Sequence, residues 1–125
     1  MNFEECFSIV YSQLGSGFNE CVYHRAIEVY LRTNNIPYES ELILPIVFYN
    51  HTIGNVRIDL IVDKTVIEIK SITKLNDAAR IQLKNYLRLT GLSRGYLVNF
   101  PQNLDSLVPE IEVIDLRKEL EETSL

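Results

Sequence analysis

The sequence predicts an α/β fold in which a mixed β-sheet is flanked by helices. Three observations favour this class: two helix-like segments come first, three β-rich segments follow, and another helix-like segment precedes two last β-rich segments. The chain has 125 residues, 46% hydrophobic and 23% charged, so it can bury a core of its own. We expect a single domain over residues 1–116 and a charged tail over residues 117–125.

Residues at the helix ends define the predicted helices. Asparagine is a favourable N-cap, and Asn2 and Asn76 each precede a helix-like segment. Glycine and asparagine tolerate the backbone conformations that end a helix, and Gly15, Asn34 and Gly91 stand at such ends. The predicted helices therefore run from Asn2 to about Leu14, from about Phe18 to Thr33, and from Asn76 to about Thr90.

The β-rich segments are bounded by turn residues. Asn50-His51 and Asp63-Lys64 are expected to turn the chain between the first three strands. Pro45 has no backbone N–H, so its strand is expected to lie at a sheet edge or to carry a bulge. The five predicted strands are ELILPIVFYN, TIGNVRIDLIVD, TVIEIKSI, GYLVNF and EIEVIDL.

Two neighbouring strands carry charged residues in an otherwise apolar context. If these strands pair, Asp59, Glu68 and Lys70 would converge on one patch. An isolated buried carboxylate costs several kcal/mol unless it is paired, protonated or bound to a metal, so something must compensate this patch. Strict alternation along the earlier strand places one set of side chains on one face, Arg57, Asp59 and Ile61, and the other set on the opposite face, Ile58, Leu60 and Val62. Along the later strand, Val66, Glu68 and Lys70 lie on the face opposite to Ile67 and Ile69.

Positive charge is concentrated in the part of the sequence that contains this patch. The net charge is −5, yet residues 57–94 contain eight basic and four acidic residues. This asymmetry is compatible with a phosphate-binding face on an acidic body, and a solvated helix surface would give a similar count.

Cysteine and histidine give little sign of a metal or disulfide site. Cys6 and Cys21 are expected to be small buried apolar groups, and with His24 and His51 they lack the spacing of a zinc site. The N-terminal segment is acidic and lacks a cleavage site, and no apolar run is long enough to cross a membrane. We therefore expect an intracellular, cytoplasmic protein.

The third predicted helix carries two rows of polar residues. Gln82 and Tyr86 are four residues apart and lie on one face, whereas Arg80, Lys84 and Arg88 form a second row. In isolation, Tyr86 would be interpreted as a core residue and the basic row as a solvated surface. Glu20, near the start of the second predicted helix, likewise has an ordinary interpretation, because the helix dipole favours an acidic residue there.

Four short motifs together resemble a known family. Gly17 to Tyr23 matches the pattern GxxExxY, Asp59 lies in RIDLIV, and Glu68-Ile69-Lys70 lies in IEIK. Together with QLKNYL, and in this order along the chain, these motifs resemble the GxxExxY family of the PD-(D/E)xK nuclease superfamily. The resemblance covers about Phe3 to Phe100. Gln82 and Tyr86 resemble the QxxxY motif of its RecB-like branch, and Ile58 replaces the proline of the superfamily name.

The resemblance implies a restriction-endonuclease-like core and a site that uses Mg²⁺ or Mn²⁺. It implies metal ligation by Asp59, Glu68, the Ile69 carbonyl and Glu20, directly or through water, which suits cations that prefer oxygen ligands. Lys70 would orient or deprotonate the attacking water. Gln82 and Tyr86 would position the lysine, a water or the phosphate. The candidates for nucleic-acid backbone contacts are Arg57, Lys74, Arg80, Lys84 and Arg88.

Three functions are compatible with these residues. The first is a metal-dependent nuclease that hydrolyses DNA, with RNA not excluded, in DNA repair, recombination or processing; a homodimer would suit the cutting of two strands. The second is a catalytically silent nucleic-acid-binding or accessory module with the same fold. The third is a structural protein in which Asp59, Glu68 and Lys70 form a salt-bridge network.

Overall fold

A computed structural model describes residues 1–118 of the chain. The charged tail predicted for residues 117–125 thus lies outside the described residues apart from its first two, and the division into a domain and a tail stays a prediction. The elements are α1 (Phe3–Leu14), α2 (Glu20–Thr33), β1 (Glu39–Phe48), β2 (His51–Val62), β3 (Thr65–Lys70), α3 (Asp77–Thr90), β4 (Arg94–Asn99) and β5 (Glu110–Asp115).

The five strands form one mixed sheet in the order β1-β2-β3-β4-β5. Only β3 and β4 pair in parallel, and α3 forms the crossover that a parallel connection requires. The other three pairings are antiparallel. The predicted α/β class and the mixed, helix-flanked sheet are confirmed. β1 is an edge strand whose register shifts after Ile46, which accommodates Pro45 as the sequence predicts.

The predicted helix ends are mostly confirmed. Asn2 and Asn76 accept hydrogen bonds from backbone N–H groups in the first turns of α1 and α3, and Gly91 ends α3 with a φ of 75°. The second helix begins at Glu20, two residues after the predicted start at about Phe18. Gly17 has a φ of 105° and Asn19 is extended, with a ψ of 169°, so neither residue is helical. No helix within residues 1–118 is both long and apolar enough to span a membrane.

The prediction for the cysteines is half right. Cys6 is buried in α1, where burial raises the pKa of its thiol to about 12. Cys21 is exposed, contrary to the prediction, and its thiol donates a hydrogen bond to Asn19. Cys21 is exposed because it lies on the first turn of α2, on the side of the helix opposite to Tyr23 and Ile27, which pack in the core.

Two apolar clusters cover the two faces of the sheet. On one face α1 and α2 pack against side chains that include Leu60, Ile67 and Ile69. On the other face α3 inserts Leu83 and Leu87 against strand residues that include Val66 and Leu97. The sheet is therefore the middle layer of three, and residues on β2 and β3 can face either helical layer.

The alternation predicted for β2 is wrong at one point. Ile58 packs in the α3 cluster, whereas Leu60 and Val62 pack in the α1/α2 cluster. The ladder with β1 joins Ser40 to Leu60 and Leu42 to Ile58 but omits Glu41 and Asp59 between them, and Glu41 has a φ of 54°. At this local irregularity the side chains of both strands change the face of the sheet to which they point. Ile61 therefore packs on the α3 side, while Arg57 and Asp59 line a cavity on the α2 side.

Gly95 allows α3 to approach β4 closely. A Cβ atom on Gly95 would lie 2.8 Å from Leu83 Cδ1 and 3.2 Å from the carbonyl oxygen of Val66. We expect Gly95→Ala to lower the free energy of unfolding by about 1–3 kcal/mol, because buried Leu83 must leave its preferred position. Gly54→Ala is the matched control, since its Cβ would meet only Ile46 Cδ1, at 3.8 Å. Equal urea midpoints for the two variants would contradict this prediction.

Candidate active site

The site lies where β2 and β3 separate. Their ladder contains only the pairs from Leu60–Ile67 to Val62–Thr65, so the backbone of β3 beyond Ile67 lacks a strand partner on this side. The Asp59 carboxylate takes that place and accepts a hydrogen bond of 2.8 Å from the Ile69 N–H. Because the N–H and C=O of a strand residue point to the same edge, the Ile69 carbonyl also points toward the gap beside Asp59.

Glu68 is a buried carboxyl group next to Asp59. Only 4% of Glu68 and 7% of Asp59 is exposed. Burial, and then the neighbouring Asp59, raise the pKa of Glu68 from 4.5 to about 10, while the Lys70 cation lowers it and Glu20 raises it. Within the described residues, Glu68 Oε2 is the buried side-chain oxygen that has no hydrogen-bond partner. Glu68 is therefore held protonated at neutral pH unless a cation joins the two carboxyl groups.

Lys70 and the polar face of α3 complete the α3 side of the site. Lys70 Nζ donates a hydrogen bond of 2.7 Å to Gln82 Oε1. Tyr86, one turn further along α3, is 7% exposed. Burial and the nearby Glu68 raise the pKa of the Tyr86 hydroxyl, whereas a hydrogen bond with Gln82 lowers it. Tyr86 thus belongs to the core and also faces the carboxyl pair, so its two interpretations are compatible.

The GxxExxY segment positions Glu20 at the edge of the site. Gly17 adopts a positive φ before α2, and the Tyr23 hydroxyl donates to the Gly15 carbonyl at 2.6 Å and accepts from the Phe18 N–H at 3.4 Å. The Tyr23 ring stacks on Phe100 with centroids 4.4 Å apart. Tyr23 therefore anchors the loop before α2, a role that the motif alone did not reveal.

Glu20 itself is exposed and lies between two polar cavities. One cavity, of about 430 Å³, reaches Asp59 and Arg57; the other, of about 340 Å³, reaches Lys70 and Gln82. Glu20 shares the first cavity with Asp59, and its charge raises the pKa of Glu68. A role for Glu20 toward a cation, directly or through a water, stays a prediction.

Two polar residues that sequence reasoning missed hold the walls of the site. Buried His24 contacts Ser40 Oγ at 2.9 Å through Nε2 and so fastens α2 to β1 beside the irregularity at Glu41. Fully buried Asn99 accepts from the Ile72 N–H and donates to the Ile72 carbonyl, at 2.9 and 3.0 Å, which fixes the segment between β3 and α3. A buried histidine and a strand-end asparagine have no sequence pattern that would have distinguished them.

The predicted phosphate contacts differ in their surroundings. Arg80 is held by Glu112 at 2.7 Å and by Asp77 at 2.9 Å, so its charge is already compensated within the protein. Arg57 forms a 3.6 Å ion pair with Glu41, but both side chains are about three-fifths exposed, so the pair is weak and can open. Lys74 and Arg88 are exposed, and Lys84 is half-buried with interactions of its own.

The donor atoms fit a small divalent cation incompletely. Within residues 1–118, no three His, Cys, Asp or Glu side chains are arranged to hold a metal ion. Mg²⁺ and Mn²⁺ often bind through one or two carboxylates and keep several waters, so Asp59, Glu68 and the Ile69 carbonyl would supply part of the ligands and water or substrate the rest. The unpartnered Glu68 Oε2 is the observation that favours a cation at this position.

One solved structure supports the fold, and a second gives a weaker match. The crystal structure of SSO0001 superimposes with a TM-score of 0.58 at 24% identity, over 83% of this chain and 56% of that chain. This chain thus spans little more than half of that protein. A phage-related exonuclease from Haemophilus somnus 129PT gives a TM-score of 0.48 at 15% identity, over 94% and 73% of the two chains. No curated protein matches significantly.

Family comparison agrees with the motifs and with the five-stranded mixed sheet. Residues 2–111 match the sequence profile of the PD-(D/E)XK nuclease superfamily, which covers almost all of the described chain. The fold is restriction-endonuclease-like, as the resemblance implied. The chain belongs to the PD-(D/E)XK nuclease superfamily.

Proposed function

We propose that this protein is a Mg²⁺- or Mn²⁺-dependent deoxyribonuclease of the GxxExxY group. The observation that carries the proposal is the buried pair of Asp59 and Glu68, in which Glu68 Oε2 has no partner in the described residues. Membership of a nuclease superfamily whose members generally depend on divalent metals supports it. A role in DNA repair, recombination or processing goes with this proposal.

The side chains divide the work of phosphodiester hydrolysis. A divalent cation bound by Asp59, Glu68 and the Ile69 carbonyl would stabilise the negative charge that develops on the phosphate oxygens. The Lys70 cation acts on Glu68, whose pKa it lowers, so its ammonium would orient or deprotonate the attacking water and neutralise the phosphate. Gln82 would hold Lys70 in place through the bond that it already forms.

The flanking residues would position the substrate strand. The Tyr86 hydroxyl, whose pKa the nearby Glu68 raises, would fix a water or a phosphate oxygen. Exposed Arg57, Lys74 and Arg88 would contact neighbouring phosphates, which adds affinity without reading sequence.

Calorimetric titration of Mn²⁺ into the wild type and Asp59→Asn tests the proposal. We expect binding to the wild type and at least tenfold weaker binding to the variant, because asparagine removes one of two carboxylate ligands while it can still accept the Ile69 N–H bond. Both proteins are then incubated with single-stranded, duplex and branched DNA in Mn²⁺, and cleavage should follow metal binding.

Two results would count against a nuclease. Tight DNA binding with no cleavage of any of these substrates would favour the accessory module. Neither metal binding nor cleavage, with a stability loss in Asp59→Asn, would favour the structural network. Asp63→Asn is the matched control, because Asp63 lies in the exposed turn between β2 and β3, at a φ of 49° that asparagine also tolerates.

A further inference from the structure

The hairpin of β1 and β2 projects beyond the rest of the sheet. Within the described chain, β2 pairs with β3 only from Leu60 to Val62, so residues 42–58 pair only with one another. The hairpin turns at Tyr49 and Asn50, both with positive φ. The tip lies about 26 Å from Asp59, given eight residues of β2 at about 3.3 Å each.

Two aromatic rings stand exposed at this tip. Phe48 and Tyr49 are 60% and 84% exposed, yet their rings stack on each other, with centroids 4.6 Å apart and an interplanar angle of 4°. The other stacked pair in the described chain, Tyr23 with Phe100, is buried in the core. An exposed, flat, preformed aromatic surface is the kind of platform on which a nucleobase stacks, whatever its sequence.

The hairpin lacks the negative charge of the rest of the protein. The chain contains 17 acidic residues, but none lies between positions 42 and 58, where Arg57 is the one charged residue. A polyanion can therefore approach this hairpin without the repulsion that it meets at the acidic segments of the chain.

A groove connects the hairpin to the candidate active site. It has a volume of about 600 Å³ and lies between Ile46 and Val56 of the hairpin and the exposed side of α3. Its lining includes Gln82 and Tyr86, which also belong to the candidate site, and exposed Arg88. A strand that leaves the site along this groove runs beside the hairpin.

We propose that Phe48 and Tyr49 form a stacking platform for unpaired bases of the substrate strand, away from the phosphate that is cleaved. At about 3.4 Å per stacked nucleotide, the 26 Å separation corresponds to about eight nucleotides. The inference rests on the proposed nuclease function, since it assigns the same protein a second contact with its nucleic-acid substrate.

Binding of single-stranded DNA by Phe48→Ala/Tyr49→Ala tests the platform. Affinity is measured by fluorescence anisotropy in EDTA, with oligonucleotides of about 24 and about four nucleotides, of which only the longer can reach from the site to the tip. We expect about tenfold weaker binding of the longer oligonucleotide and unchanged binding of the shorter. Leu104→Ala/Leu107→Ala, which also removes two exposed apolar side chains, should bind both like the wild type.

A fluorescent base reports on stacking directly. 2-Aminopurine, placed in turn at positions along the longer oligonucleotide, should be quenched by the wild type at a position about eight nucleotides from the site and not by the double variant. Unchanged urea midpoints would show that the variant is folded. Equal affinity and equal quenching for both proteins would overturn the platform and leave the nuclease proposal intact.

Two other outcomes would also overturn the inference. A wild type that binds neither oligonucleotide, yet cleaves duplex or branched DNA in Mn²⁺, would remove the platform and leave the proposed function standing. A wild type that sediments as a dimer, with a monomeric double variant, would show that the exposed rings join two copies of this chain.

Discussion

Lys70→Ala is expected to lower the rate of DNA cleavage about a thousandfold. The ammonium group of Lys70 lies on the same side of β3 as Glu68 and is held at 2.7 Å by Gln82 Oε1, so it is the positioned cation of the site. Loss of one preorganised group that stabilises developing charge or moves a proton costs about 10²–10⁴ in rate. The measurement is single-turnover cleavage in saturating Mn²⁺.

Lys70→Arg separates charge from proton transfer. Arginine keeps the positive charge but does not give up its proton, and its planar head cannot reproduce the position of an ammonium group. We expect this variant to bind DNA like the wild type and to cleave it almost as slowly as Lys70→Ala. Lys64→Asn is the control for loss of a lysine, because Lys64 occupies an exposed turn at a φ of 59° that asparagine tolerates. Wild-type cleavage by Lys70→Ala would refute the assigned role.

The fold was predictable because its signals are local. Asn2, Asn76 and Gly91 end helices through their own conformational preferences, and apolar periodicity distinguishes the helices from the strands. The patch of Asp59 and Glu68 was detectable for a related reason. Carboxylates within apolar strands contradict the burial pattern around them, and such contradictions are expected at functional sites.

What could not be predicted depends on tertiary contacts. Glu41 adopts a positive φ, a conformation that is usually predicted from a glycine or an asparagine. Because a glutamate stands there, the sequence does not indicate the change of face beside Asp59. Arg80 is neutralised by Glu112, which is 32 residues away in the chain and reaches it only through the sheet. A row of basic residues on a helix therefore gives no measure of how much of its charge is available to phosphate.

The buried Glu68 carboxyl should make the metal-free protein less stable as the pH rises. The folded chain keeps a proton that the unfolded chain releases above pH 4.5, because the pKa of Glu68 is raised to about 10 by burial and by Asp59. This contribution is favourable below pH 4.5 and is lost as the pH rises toward about 10, by about 1.4 kcal/mol per pH unit. Urea unfolding in EDTA between about pH 6 and pH 9 measures the slope.

Glu68→Gln isolates this group from the other titrating residues. Glutamine has nearly the same shape and no charge, so we expect the variant to lose the slope and to be more stable than the wild type at the higher pH, while it binds Mn²⁺ poorly. The same slope in both proteins would show that Glu68 ionises freely in the fold. Mn²⁺ binding to the wild type should release about one proton, because a ligating carboxyl must be ionised. Calorimetry in two buffers of different ionisation enthalpy measures that proton release. A release of about one proton would show that the carboxyl group that destabilises the metal-free protein is the group that binds Mn²⁺.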